Sequence, residues 1–169
     1  MRKVFHGGIE TIEQPLVHIG RDNLDFGKGF YVTDILKQAK VWATTKSRYY
    51  LGSDGVVNHY LFDFDKAVAE FRYKKFEHYD AEWLHFIVGC RRGKTLWKEF
   101  DFIEGGVAND SVIDTIESFM AGLMEEEKAL GLLAEHRPNN QICILNQKII
   151  DNCLIFEKAV KMKGKQNVE

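Results

Sequence analysis

Three cysteines, two prolines and no long apolar run set the first limits on this chain. Cys90, Cys143 and Cys153 are odd in number and show no Cys-x-x-Cys spacing, which argues against a disulfide framework or a zinc site. Cys90 and Cys143 sit in apolar runs and read as buried thiols. Pro15 and Pro138 each fall in a connection. No stretch approaches the length of a membrane span, and Met-Arg-Lys leads directly into a strand-like segment rather than a signal peptide. The expected setting is cytoplasmic and reducing, with no membrane partner. Charge of one sign is also lacking: 23 basic and 25 acidic side chains leave a net −2. That gives no global electrostatic reason to bind nucleic acid. Repeats and low-complexity linkers are absent. The 169 residues suffice for one sizeable core.

What is present reads as scattered strands and helices. Arg2 to His6 is expected as a strand, with a loop from Gly7 to Asn23. Gly29 to Val32 forms a second strand, released by Gly27 and Gly29. Thr33 or Asp34 then caps a helix to about Tyr49, with Ile35, Ala39 and Trp42 on one face. Val56 to Asp63 and Val68 to Tyr73 read as strands around a turn at Asp65. Asp80 caps a helix carrying Trp83, Ile87 and Cys90, and Phe100 to Gly106 is a strand. Asn109 or Asp110 caps a helix that aligns Ile113, Ile116, Met120 and Leu123. Glu125 to Glu135 reads as helical, and Gln141 to Leu145 and Leu154 to Val160 as strands. Without a strand-helix-strand rhythm, the expected class is α+β with antiparallel pairing. One domain over 1–160 and a frayed polar tail over 161–169 follow.

Chemistry concentrates in two segments: Phe5-His-Gly-Gly8 and Asp25-Phe-Gly-Lys-Gly-Phe-Tyr-Val-Thr33. One strand presents a His before two Gly, the next presents Tyr31, and Trp42 follows on a helix. Backbone amides, an imidazole and two aromatic faces suit a flat, amide-bearing ring such as nicotinamide. The Gly-Lys-Gly continues into neither a dinucleotide-binding nor a Walker fingerprint. His6-Gly7, Gly27 to Thr33 and Asn140-Gln-Ile-Cys-Ile144 resemble the three strand motifs of the diphtheria-toxin and poly(ADP-ribose)-polymerase branch of ADP-ribosyltransferases, whose signature is His-Tyr-Glu. Together with Glu82-Trp-Leu and Gly-x-x-Ala-Asn-Asp110, the pattern is also similar to a bacterial ADP-ribosyltransferase-like family labelled as a domain of unknown function.

The resemblance implies a pair of small, mainly antiparallel sheets with flanking helices, and NAD as substrate. It implies that His6 bonds the adenosine-side ribose and that Gly7 offers its backbone to the carboxamide. Tyr31 and Trp42 would sandwich the ring, and His6, Tyr31 and Gln141 would form the catalytic set. Gln141 stands where the branch carries Glu and brings no charge to an oxocarbenium-like transition state. This fits slow mono-ADP-ribosyl transfer, substrate-assisted transfer or NAD binding without turnover; Glu157 or Asp110 would substitute if the fold brought either close. The implied partners are NAD, an acceptor that is protein or nucleic acid, and an inhibitor protein, as for the toxin of a toxin–antitoxin or defence pair.

Other readings stay open from the residues alone. The chain can be an NAD or ADP-ribose binding module, or an interaction domain in which His6, Tyr31 and Trp42 are structural. A transferase acting on an RNA 2′-phosphate would need more basic side chains, for which Arg91-Arg92 is the candidate pair. The remaining histidines share no metal-ligand spacing, so no metal is expected. Asp101, with Asn109 and Asp110, reads as strand-end and cap chemistry rather than as a cation site.

Overall fold

Strand β1 (Arg2–Gly8) buries Val4 and Phe5 on opposite faces, because the side chains of successive strand residues alternate and both sides are covered. The computed structural model describes residues 1–50, 52–108 and 110–162 of the chain. These form an α+β fold with six helices and two sheets. Sheet one orders β1, β3 (Gly55–Phe62) and β7 (Leu154–Met162), all antiparallel. Sheet two orders β2 (Phe30–Val32), β6 (Gln141–Ile144), β5 (Phe102–Gly105) and β4 (Tyr73–Lys75), with β4 and β5 parallel.

The apolar residues divide into two main cores, one on each face of sheet two. Phe30, Val32, Ile142 and Ile144 pack with Val4, Tyr60 and Phe62 from sheet one. Cys143 and Ile103, on the opposite face, pack with Trp83, Ile87, Ile116 and Leu133 from the helices. The nearly continuous apolar run of β6 follows from its burial on both faces.

Helix α1 (Leu36–Tyr49) lies against β1 and β3 through Ala39 and Ala43. Ile35, expected on that face, is exposed and occupies the N-cap position without a side-chain cap. Thr33 does contribute: its Oγ1 accepts from the Ile35 N–H at 3.0 Å. Contact with the sheet is close because Gly7 has no side chain. A Cβ there would lie 2.0 Å from the Ala39 carbonyl oxygen and 2.8 Å from the Ala43 nitrogen.

The strand expected over Val68–Tyr73 is instead the end of helix α2 (Phe64–Glu70), and β4 starts only at Tyr73. Asp63 caps α2 by accepting from the Lys66 N–H, and Phe64 and Ala67, three residues apart, turn to the core while Val68 is exposed. The expected turn at Asp65 is the first turn of this helix. Helix α3 (Ala81–Arg91) starts as expected from the Asp80 cap on the Trp83 N–H. In α4 (Asp110–Met120) Val112, Thr115 and Ile116 are buried, whereas Leu123 lies beyond the helix end and is exposed. The cap expected at Asn109 or Asp110 rests on residue 109 and the Asp110 side chain, which lie outside what the structure describes. Helix α5 spans Glu126–Ala134. Helix α6 (Gln147–Cys153) had no counterpart in the sequence reading; Asn146 caps it and Ile149, Ile150 and Cys153 are buried. Strand β7 takes in residues 161 and 162, and the rest of the expected tail, 163–169, lies outside the described residues.

Gly7→Ala is therefore expected to destabilise the fold by about 2–3 kcal/mol, since α1 must lift from β1 to admit a methyl group. At Gly8 a Cβ would meet nothing closer than 3.5 Å, so Gly8→Ala should be near neutral. Thermal or denaturant unfolding of the two variants checks this, and equal midpoints would contradict it.

Candidate functional site

The two sheets join at an isolated bridge, in which Phe5 and Thr33 exchange backbone hydrogen bonds of 2.7 and 2.9 Å. Backbone groups alternate in direction along a strand. Since Phe5 points its N–H and C=O at β2, Gly7 must point its own the same way, to a position opposite Tyr31. No ladder continues there, and β1 and β2 part. Among the described residues, the Gly7 N–H and C=O have no hydrogen-bond partner on that side.

The parting is spanned by the His6 side chain, whose Nδ1 donates to the Tyr31 carbonyl at 2.7 Å. A carbonyl only accepts, so this bond fixes the proton on Nδ1 and leaves Nε2 as an acceptor. The imidazole stacks on Phe30, centroid to centroid 4.7 Å. Burial, with the Lys46 ammonium nearby, holds its pKa down at about 4, against a smaller opposing effect of the Tyr31 carbonyl. The ring is neutral at physiological pH.

Tyr31 faces the helical core, on the other side of β2 from Phe30. Its hydroxyl donates to the Gly27 carbonyl at 2.7 Å and accepts from the Phe26 N–H at 3.1 Å. Gly27 takes φ of 87°, the left-handed region that the Gly-Lys-Gly turn needs, whereas Gly29 does not. Gly29 serves close approach instead: a Cβ would lie 2.5 Å from the Ile144 carbonyl oxygen. Burial raises the Tyr31 phenol well above its ordinary pKa. With its hydroxyl engaged and neutral, Tyr31 offers a ligand its ring and no proton chemistry.

Gln141 opens β6 on the same face as Tyr31, two residues before Cys143, the direct cross-strand partner of Tyr31. It is 4% exposed, and its Nε2 donates to the Gly106 carbonyl at 3.4 Å. That carbonyl also accepts from the Trp83 indole at 3.3 Å, which gives the Glu82-Trp-Leu motif a role near Gln141. Trp42 is half-buried on α1, its Cβ 2.9 Å from the position a Gly7 Cβ would take. His6 and Tyr31 thus share the split, Trp42 borders it at Gly7, and Gln141 lies one strand further in. A ligand touching His6 and Gln141 must pass through the split, because their side chains lie on different sides of β2.

The anchoring residues were largely missed in the sequence. Asn140 accepts on its carbonyl from Thr33 Oγ1 at 2.7 Å and from Gln38 Nε2 at 2.9 Å. Its Nδ2 donates to Glu104 Oε1 at 3.0 Å. Glu104 is buried, paired with Arg2 at 3.2 Å and hydrogen-bonded by the Tyr73 hydroxyl. A carboxylate inside the apolar run Phe-Ile-Glu-Gly was the available signal.

The other candidates are engaged elsewhere. Glu157 is exposed on β7, the far edge of sheet one, so it does not replace a carboxylate at Gln141. The Asp110 side chain is outside the described residues. Arg91 is paired with Asp25 at 2.7 Å, and Arg92 donates to the Met120 carbonyl. Asp101 accepts from the Arg72 backbone and guanidinium and from Asn146, and the Arg72 hydrogen bonds hold its pKa down to about 2. Burial pushes the Cys90 thiol up to about 12 and raises Cys143 further, so neither is a ready nucleophile. Among the described residues no group of three or more His, Cys, Asp or Glu side chains is placed to hold a metal ion. Among the described residues no helix is long and apolar enough to cross a membrane. Two concavities of about 400 and 420 Å³ lie beside Asp25–Arg91 and between His78 and His136, and neither includes His6, Tyr31 or Gln141.

The His6 geometry fixes a pH dependence. An unfolded His binds a proton near 6.5, whereas the folded ring does so only near 4. Between those values the unfolded chain holds more protons, so stability falls as pH drops from 6.5 to 4, by at most about 1.4 kcal/mol per pH unit. His6→Phe should flatten this dependence, and identical stability–pH curves for the variant and the parent would contradict the assignment.

Comparison with known proteins gives a family match. A search of the curated proteins returned nothing similar, and so did a search of the solved structures. The sequence model of one family, described as "Protein of unknown function (DUF3990)", matches residues 2–156. That match covers β1 to β6, the first residues of β7 and every residue of the split, and the chain belongs to this family.

Proposed function

We propose that the protein binds NAD with its nicotinamide end in the β1–β2 split, as an NAD-dependent mono-ADP-ribosyltransferase-like protein. The observation carrying this reading is the Gly7 backbone, buried opposite Tyr31 with no hydrogen-bond partner toward β2 among the described residues. A carboxamide has one acceptor and two donors on one planar group, and the free Gly7 N–H and C=O complement it. Tyr31 supplies a ring face fixed by its own hydroxyl bonds, and Trp42 borders the split from α1. A neutral His6 with a free Nε2 acceptor suits a ribose hydroxyl. The transferase resemblance of the three strand motifs supports the same reading, and the toxin or defence setting rests on that resemblance alone.

In such a transfer the glycosidic bond breaks, nicotinamide leaves with the electron pair, and an acceptor oxygen or nitrogen bonds to C1′ and loses its proton. Gln141 accepts a 2′-hydroxyl through its amide oxygen but brings no negative charge to the oxocarbenium ion. Losing such a term costs about 3–4 kcal/mol in a desolvated site. A second reading, NAD or ADP-ribose binding without turnover, is favoured by the same amide and by the distance of Glu157 from β6. The acceptor is a protein or nucleic acid in the first reading.

Purified protein with labelled NAD and cell lysate separates these readings. Label transfer supports the transferase, saturable binding without nicotinamide release supports the binding module, and no binding at millimolar NAD overturns both in favour of an interaction domain. Tyr31→Ala and Trp42→Ala should each weaken NAD by roughly 1–3 kcal/mol. Unchanged affinity in both would place the ring elsewhere. Gln141→Glu should raise nicotinamide release by about tenfold or more, equivalent to about 1.4 kcal/mol. Equal rates for Gln141→Glu and Gln141→Ala would show that position 141 does not touch the ribose.

A further inference from the structure

Strand β7 is the outer edge of sheet one, and among the described residues no strand pairs with its far side. The ladder fixes which of its backbone groups face outward. Phe5 turns its N–H and C=O to Thr33, so its cross-strand partner His59 turns its own away from β1 and toward β7. Val57 and Leu61, two residues to either side, do the same, and the Asp63 N–H, donating to the Cys153 carbonyl at 2.8 Å, continues the series. Their partners Ile155, Lys158 and Val160 therefore face β3. Leu154, Phe156, Ala159 and Lys161 point their N–H and C=O away from the sheet.

A bulge makes that outward set uneven. The register slips between His59 and Tyr60, and Glu157 is the extra residue on β7. Leu154 and Phe156 lie before it, Ala159 and Lys161 after it, symmetric about a point between Glu157 and Lys158. A second copy running antiparallel about that point sets Leu154 against Lys161 and Phe156 against Ala159. Every outward-facing residue then meets an outward-facing one. The side chains match as well. Ile155 and Val160 lie opposite Leu61 and Val57, on the sheet face that carries α1. They are 52% and 43% exposed, the large apolar side chains that β7 leaves in solvent. In this register Ile155 meets Val160 of the second copy. Glu157, exposed, meets the exposed Lys158 of the second copy, so opposite charges face each other twice.

We propose that β7 is a self-pairing edge, through which two copies of the chain join their three-stranded sheets into one antiparallel sheet. The interface is isologous, each copy offering the same strand. Exposed edges commonly carry lysine or a bulge, which deter pairing with other strands. Here the charge of Lys158 meets Glu157 across the axis, and both copies bulge at the same place. The features that deter an arbitrary strand thus fit a second β7. One strand per copy is a small contact, so the dimer is reversible and depends on concentration. It is independent of the NAD reading, because β1, not β7, borders the split.

Sedimentation equilibrium of the full chain, from about 1 µM to 1 mM, tests this. The parent should pass reversibly from monomer to dimer. Glu157→Lys and Lys158→Glu each set like charges against each other twice, and each should raise the dimer Kd about tenfold or more. Mixing these two variants should restore association, because the lysines of one copy then face the glutamates of the other. The double exchange Glu157→Lys with Lys158→Glu should also dimerise like the parent. Val160→Ser, which removes the apolar pair without touching charge, should weaken the dimer too. A parent that stays monomeric throughout the range overturns the proposal. Single variants that dimerise as the parent does also overturn it, since the copies then meet through another surface. So does a mixture of the two charge variants that associates no better than either alone.

Discussion

Thr33 is where the two sheets, the first helix and the start of β6 are held together. Its backbone exchanges both hydrogen bonds with Phe5, its hydroxyl donates to the Asn140 carbonyl, and the same oxygen accepts from the Ile35 N–H at the head of α1. The residue is fully buried, so each of these groups would be costly to leave unpaired. The bridge is short by construction. One residue pair joins β1 to β2, and two residues further on the backbone pairing has stopped: the Tyr31 carbonyl accepts from His6 Nδ1 instead of from Gly7. The feature that joins the sheets therefore also sets where their backbone pairing ends.

Gln141 is held in place from both sides of β6. Behind it, the Arg2–Glu104–Asn140 chain ties the N-terminal strand to the first residues of β6, with the Arg2 guanidinium also 3.3 Å from the Phe64 ring centroid. A buried charge of this kind adds little net stability, but removing one partner leaves the other uncompensated. Its contribution is to register: it fixes where Asn140 sits, and Gln141 is the next residue. In front, Trp83 and Gln141 both donate to the Gly106 carbonyl, whose two lone pairs tie a buried core aromatic to the site residue.

Much of the architecture was legible because local signals agreed with the global fold. The Asp80 cap preceded an apolar helix, strands were read at Arg2–His6 and Val56–Asp63, and Gly27 marked a turn needing positive φ. The failures have specific causes. Val68 to Tyr73 looked like a strand because its apolar residues were read without the Asp63 cap, which commits Phe64–Glu70 to a helix. Helix α6 is a single short amphipathic stretch whose Asn146 cap was passed over. At the site, the sequence reading singled out His6, Gly7, Tyr31, Trp42 and Gln141, but not what holds them. Gly7 read as space for a ligand, whereas the structure uses its missing side chain to seat α1. Glu104, Gln38 and Asn140 act through contacts more than 30 residues away in sequence, and no local pattern encodes such pairings. The Gln38 Oε1, buried without a partner, shows that this network is not fully satisfied.

The central claim is that the β1–β2 split receives a carboxamide ring. Amide-resolved NMR during titration with nicotinamide tests it at the level of single atoms. The account requires saturable shifts at the Gly7 and Tyr31 backbone N–H groups and at the Trp42 indole, with the Gly7 amide moving to the position of a hydrogen-bonded donor. Saturable shifts confined to the groove between His78 and His136, or none at millimolar ligand, would contradict it.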